Sequence, residues 1–253
     1  MTTWVLLRGL AREARHWGDV GDGLAARLGA GHQVLALDLP GNGSLCAQQS
    51  PASVAELAAR CRAELGRQAL PGPYVLVAMS LGAMVALEWA HAHPENLAGC
   101  VLLNTSLRGL SPFWRRLRPR SQLRLLRVLW PGQTLLQREA LVLAMTSSQP
   151  ARHAGLPARW AGFARQHPVR RGNVLRQLLA AARYRPPAEC PRVPMLVLSS
   201  RGDALVSPAC SQALARHWQL PHAVHPTAGH DLPLDAPSWV LAQITGWWAG
   251  RHP

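Results

Sequence analysis

Residues 74–92, Tyr74-Val-Leu-Val-Ala-Met-Ser-Leu-Gly-Ala-Met-Val-Ala-Leu-Glu-Trp-Ala-His-Ala92, change character in the middle. The first six form a short, continuous apolar run, the pattern of a strand covered on both faces of a parallel sheet. From Leu81 the run continues as an apolar helix over 81–92. Ser80 stands at the junction, between Ala78 and Gly82. Working outward, similar apolar runs bounded by Gly, Pro or Asp occur at residues 4–7, 33–38, 100–104 and 195–199, and 222–225 is a short strand candidate. Further helices are expected at roughly 51–69, opened by Ser50-Pro51, and at 208–219 and 236–249. Strands alternating with helices across short turns specify an α/β chain, with a mostly parallel, doubly wound central sheet flanked by helices.

The stretch from 106 to 190 breaks this rhythm. It carries helical patterns near 112–130, 134–146, 157–166 and 170–184 and no convincing strand. Pro119, Pro131-Gly132, Pro150, Pro157 and Pro186-Pro187 punctuate it. The expected organisation is therefore a core in two pieces, 1–105 and 191–253, interrupted by a helical insertion at 106–190. No internal repeat or low-complexity tract is present.

With 48% hydrophobic and 16% charged residues in 253, the chain can bury a substantial core, which excludes a disordered protein. The longest uncharged apolar stretch, 74–87, is 14 residues, short of the ~20 that cross a bilayer. The first nine residues have neither a basic n-region nor a cleavage site, so a cytoplasmic, non-transmembrane protein is expected. Five scattered cysteines without C-x-x-C spacing support neither a disulfide framework nor a zinc site and read as buried thiols. The net charge of +14 is unevenly placed: residues 108–192 hold 17 Arg against Glu139 and Glu189, whereas the flanking segments are close to neutral. The absence of lysine is consistent with codon bias, but codon bias does not explain why acids avoid one segment.

Ala78-Met-Ser-Leu-Gly82 falls where a strand turns sharply into a helix, the setting of a nucleophile elbow, G-x-S-x-G, with alanine in the first glycine position. A serine is a weak nucleophile without a base, and the base needs an orienting acid. Asp203 follows a strand in Arg201-Gly-Asp203-Ala, and His230 follows the strand candidate at 222–225 in Ala228-Gly-His230-Asp. The chain order is Ser80, Asp203, His230, each at the strand ends where open α/β sheets bind ligands. Each has a structural alternative: a small turn residue, a helix N-terminal charge and a satisfied loop histidine, respectively. The other ten histidines, His16 among them, read as surface or packing residues, and Asp231 and Asp235 stand too close to His230 to orient it easily.

On these residues, together with Arg8-Gly-Leu10 and Asp38-Leu-Pro-Gly-Asn-Gly-Ser44, the chain resembles the α/β-hydrolase family of esterases and lipases over all but the insertion. The resemblance implies a serine hydrolase acting on carboxylic esters or thioesters. Ser80 would be the nucleophile, His230 the base and Asp203 its orienter. The backbone N–H groups of Leu10 and Leu81 would form the oxyanion hole, with no metal or cofactor. Arg8 stands where the family often has His. Residues 106–190 would form a helical cap, and the turn from Asp38 would be structural.

Trp114, Trp130 and Trp160 are the candidate substrate-binding residues of that cap. The expected substrate is a small-molecule acyl ester. The arginines suit an acidic carrier protein or anionic lipid, or are a solvated face without a partner; nucleic acid is disfavoured because the core matches a hydrolase. A catalytically silent hydrolase-fold binding protein is the alternative from another class.

Overall fold

A computed structural model describes residues 2–70 and 72–251. Six parallel strands make one sheet: β1 (Thr2–Leu7), β2 (His32–Leu37), β3 (Tyr74–Met79), β4 (Leu97–Leu103), β5 (Met195–Ser200) and β6 (His222–His225), in the order β2-β1-β3-β4-β5-β6. The helices are α1 (Val20–Leu28), α2 (Val54–Arg67), α3 (Leu81–Ala92), α4 (Phe113–Arg116), α5 (Pro119–Leu129), α6 (Leu135–Thr146), α7 (Leu156–Gln166), α8 (Arg171–Arg183), α9 (Pro208–His217), α10 (Leu232–Asp235) and α11 (Pro237–Ala249).

The continuous apolar strands have the burial their composition requires. Alternate residues Val5, Leu7, Leu76, Ala78, Leu102 and Val197 pack on one face with α2, α3 and α9. Their neighbours Trp4, Leu6, Val75, Val77, Val101 and Leu198 pack on the other with α1 and α11. Helix α3 is apolar on nearly every side, as a helix enclosed by protein must be, and nine of its twelve residues are buried.

All of α4 to α8 lie between β4 and β5, joined by a 3-10 turn at Pro150–His153. The pattern at 112–130 divides into two helices instead of one. Arg118 precedes Pro119, whose ring disfavours helical geometry in the residue before it, and Arg118 is extended at φ −62° and ψ 143°. Pro119 then opens α5 at a position where its missing N–H costs nothing. No helix among the described residues is long and apolar enough to cross a membrane. The cysteines are all unpaired; Cys61, Cys100 and Cys210 are buried, whereas Cys46 and Cys190 are half-buried instead of enclosed as expected. Burial pushes the Cys61 thiol up to about 12.

Candidate active site

The sheet reverses direction of growth between β1 and β3, and ligands of open α/β sheets bind beyond the strand ends at such a switch point. Ser80 follows the last residue of β3 there. Its φ of 56° and ψ of −116° are costly for a residue with a side chain. Its N–H donates to the carbonyl of Leu103, 2.9 Å away, and its own carbonyl accepts from Thr105 Oγ1 at 3.1 Å. A Cβ at Gly82 would lie 2.6 Å from the carbonyl oxygens of both Leu7 and Arg8, so the second small residue of the motif has to be glycine. Ala78, in the first position, is enclosed in the sheet without conflict. Leu81 opens α3, where first-turn N–H groups lack acceptors within the helix. Leu10 lies opposite in the loop after β1. A Cβ on Gly9 would come within 3.1 Å of Ser80 Cβ, which shows how closely that loop approaches the serine.

Asp203 lies in the loop after β5 and is almost wholly buried. Its Oδ1 accepts from the N–H groups of Leu205 and Val206, both at 2.8 Å, and its Oδ2 is 2.7 Å from His230 Nδ1. A carboxylate held this way favours the tautomer with the proton on Nδ1, leaving Nε2 as an acceptor. Ser80 and His230 border one cavity of about 620 Å³, roofed by the helices between β4 and β5. Leu10, Leu81, Trp130 and Trp160 border it too. Trp114 does not: it is 54% exposed, packs edge-on against Phe113, and Phe113 lines the cavity in its place. Both belong to a single turn of helix, so adjacent side chains point in different directions.

Several groups at the site give no local sequence signal. Arg8 forms a bidentate pair with Asp231, Nη1–Oδ1 at 3.1 Å and Nη2–Oδ2 at 2.6 Å, with both side chains only 3% exposed. Thus the cation in the usual His position is neutralised, and it ties the Leu10 loop to the His230 loop. Asn104 donates through Nδ2 to Ser200 Oγ at 3.0 Å and to the carbonyl of His230 at 2.8 Å, and its Oδ1 accepts from Ser200 N–H at 3.0 Å. It links β4, β5 and the His230 loop.

The helices between β4 and β5 hold the same loops from above. Asp235 accepts from Ser147 Oγ at 2.5 Å, Ser148 N–H at 2.8 Å and Gly229 N–H at 2.7 Å, while Asp231 N–H donates to the carbonyl of Thr146 at 2.8 Å. On the other side, Arg118 Nη1 donates to the Asp203 carbonyl at 2.8 Å and Ser121 Oγ to that of Ala204 at 2.7 Å. Glu139 is buried 2.5 Å from Arg12, whose guanidinium lies over Trp160 at 4.3 Å. Asp38 accepts from Ala14 N–H at 2.7 Å and Ser44 N–H at 2.8 Å, fixing the turn it begins.

His16 lines the cavity against Trp160 and Phe163, with ring centroids 5.4 and 5.5 Å away. It is thus a packing residue, one of the two roles expected of it, and its packing is in the cavity wall. Burial, followed by the charges of Arg12 and Arg8, holds its pKa well below 6.5. The unfolded chain thus takes up this proton first, and stability contributed by the neutral ring is lost as pH falls from about 6.5 through the folded value. Denaturant titrations on either side of that pH should show a shallower decline for His16→Gln than for the wild type. His222, also depressed by burial, contributes equally to both proteins.

A model of the alpha/beta hydrolase family matches residues 4–243. The chain belongs to the alpha/beta hydrolase family. Solved alpha/beta hydrolases reproduce its fold. A thermophilic esterase from Thermogutta terrifontis superposes with TM-score 0.77 at 23% identity, covering 100% of this chain and 91% of that one. The esterase RhEst1 from Rhodococcus sp. ECU1013 gives 0.76 at 18%, covering 97% and 90%. The alpha/beta hydrolase MGS-M2, from a Medee basin deep-sea metagenome library, gives 0.73 at 17%, covering 98% and 89%. No curated protein sequence matches this alpha/beta hydrolase.

Proposed function

We propose that this alpha/beta hydrolase is a serine hydrolase that cleaves carboxylic esters or thioesters with an apolar acyl group. The observation that carries the reading is that Ser80, on its strained turn, and His230, fixed by Asp203, border the same largely apolar cavity. Strained backbone at a serine that shares a cavity with an oriented imidazole supports a catalytic use of that serine. Esterases among the structural relatives add to it.

In this reading His230 Nε2 takes the proton as Ser80 Oγ bonds to the carbonyl carbon. The N–H groups of Leu10 and Leu81 receive the oxyanion, worth about 2.7–4 kcal/mol for each donor. The bond to the alcohol or thiol then breaks, His230 returns the proton to that leaving group, and an acyl-enzyme remains on Ser80. Water attacks the acyl-enzyme with His230 again as base, releasing the acid and restoring Ser80. Asp203 holds the ring and stabilises the imidazolium. The helices over the cavity act as a cap, and Trp130, Trp160 and Phe113 form walls for the acyl chain.

An alkyl fluorophosphonate should inactivate the enzyme with one adduct, found by peptide mass mapping on Ser80. In parallel, kcat/KM for p-nitrophenyl esters should rise with acyl length until the cavity is filled. Adduct formation on another residue, or no inactivation together with no turnover of any ester, would overturn the assignment.

A further inference from the structure

Nine large hydrophobic side chains are exposed among the described residues, and six of them cluster between 113 and 136. These are Phe113, Trp114, Leu123, Leu126, Trp130 and Leu136, each more than half exposed. Scattered single apolar residues on a surface need no explanation, but a concentrated set marks a contact. Helix α5 shows how the set is built. Gln122, Leu125, Val128 and Leu129 line the cavity on one face, while Leu123 and Leu126 project from the other among the exposed Arg120, Arg124 and Arg127.

The surrounding charge is of one sign. No Asp or Glu occurs between Glu95 and Glu139, and Glu139 is itself buried against Arg12. Solvated arginines would account for the charge and leave the indoles, phenyl ring and leucines without a reason. An acidic protein partner would match the charge and would need an apolar patch of its own. An anionic lipid surface supplies both counterparts, phosphate headgroups for the guanidiniums and the acyl boundary for the apolar tips. Phe113 and Trp130 are exposed on this face and also line the cavity, so the cavity mouth opens here.

We propose that α4, α5 and the start of α6 form a docking surface for anionic lipid, which brings the cavity mouth to acyl esters held in that lipid. Docking stands on the exposed face alone; delivery of substrate rests on the hydrolase reading above.

The test is co-sedimentation with vesicles of phosphatidylcholine, with and without phosphatidylglycerol. Binding should require phosphatidylglycerol. Arg120→Gln with Arg127→Gln should weaken it roughly 25-fold, at about fivefold for each arginine near an anionic surface. Leu123→Ser with Leu126→Ser should weaken it by a similar factor, while thermal stability and hydrolysis of a short soluble ester stay unchanged, because these side chains point away from the cavity. The Ser80→Ala protein should bind vesicles like the wild type, which separates a failure of docking from a failure of the hydrolase reading. Equal binding to both vesicles, no binding to either, or variants that bind as well as wild type would overturn the proposal. So would finding that the leucine variants abolish self-association, or capture of an acidic carrier protein, and leave vesicle binding intact.

Discussion

Ser80→Ala should reduce kcat for a p-nitrophenyl ester by about 10⁶-fold, and Asp203→Asn by about 10⁴-fold, with both proteins folded. The two losses differ because they remove different things. Without Oγ no acyl-enzyme can form, and the residual rate reflects binding and oxyanion stabilisation alone. With asparagine at 203, the serine and imidazole remain, but the Nδ1 contact no longer favours the productive tautomer. The carboxylate also accepts from Leu205 and Val206 N–H, and the amide oxygen can keep both bonds, so the loop should hold its shape. Stopped-assay kcat with circular dichroism on the same samples measures both points. An Asp203→Asn enzyme within tenfold of wild type would show that another acid orients His230. A Ser80→Ala enzyme with substantial turnover would remove the nucleophile assignment altogether.

The second large effect is on stability. Arg8→Ala should cost about 3–5 kcal/mol, because Asp231 would be left as an uncompensated buried charge. For a chain of this length, that lowers Tm by roughly 10 °C. The Arg8→Met, Asp231→Leu double variant should recover most of the loss, since replacing a buried pair by apolar groups is often neutral. The pair is also incompletely satisfied, as Arg8 Nε is buried without an acceptor. A urea double-mutant cycle reads the coupling directly. If Arg8→Ala is within about 1 kcal/mol of wild type, the pair is not what secures the His230 loop, which Asn104 also holds to β4 and β5.

How far the sequence could be read follows the range of the interactions. Five of the six strands were legible as short apolar runs between turn residues, a local signal, whereas β6, with histidine at both ends, offered only a short strand candidate. Ser80 stood out because it directly follows such an apolar run, and Asp203 and His230 because each lies in the loop just after a strand. The Arg8–Asp231 pair spans 223 positions and the Asn104–Ser200 bond 96, so neither leaves a pattern in any window. Helix α1 was not anticipated because Gly21 and Gly23 lower its helix propensity. There glycine serves packing: a Cβ at Gly23 would lie 2.9 Å from Leu241 Cδ1, on α11. Trp114 failed as a cavity residue for a related reason, since a one-turn helix has no periodicity from which side-chain direction can be read.

The bonds from Asp235, Thr146, Arg118 and Ser121 have a consequence for entry and exit. They fasten the roof, at the start of α5 and just after α6, to the very loops that carry the imidazole and the carboxylate. A roof that swung away as a door would pull those loops apart, so it is a vault, standing on the same footings as the chemistry beneath it. On the hydrolase reading proposed above, a soluble ester should therefore be turned over from the first instant, without a lag, because no movement of the roof is needed to admit it.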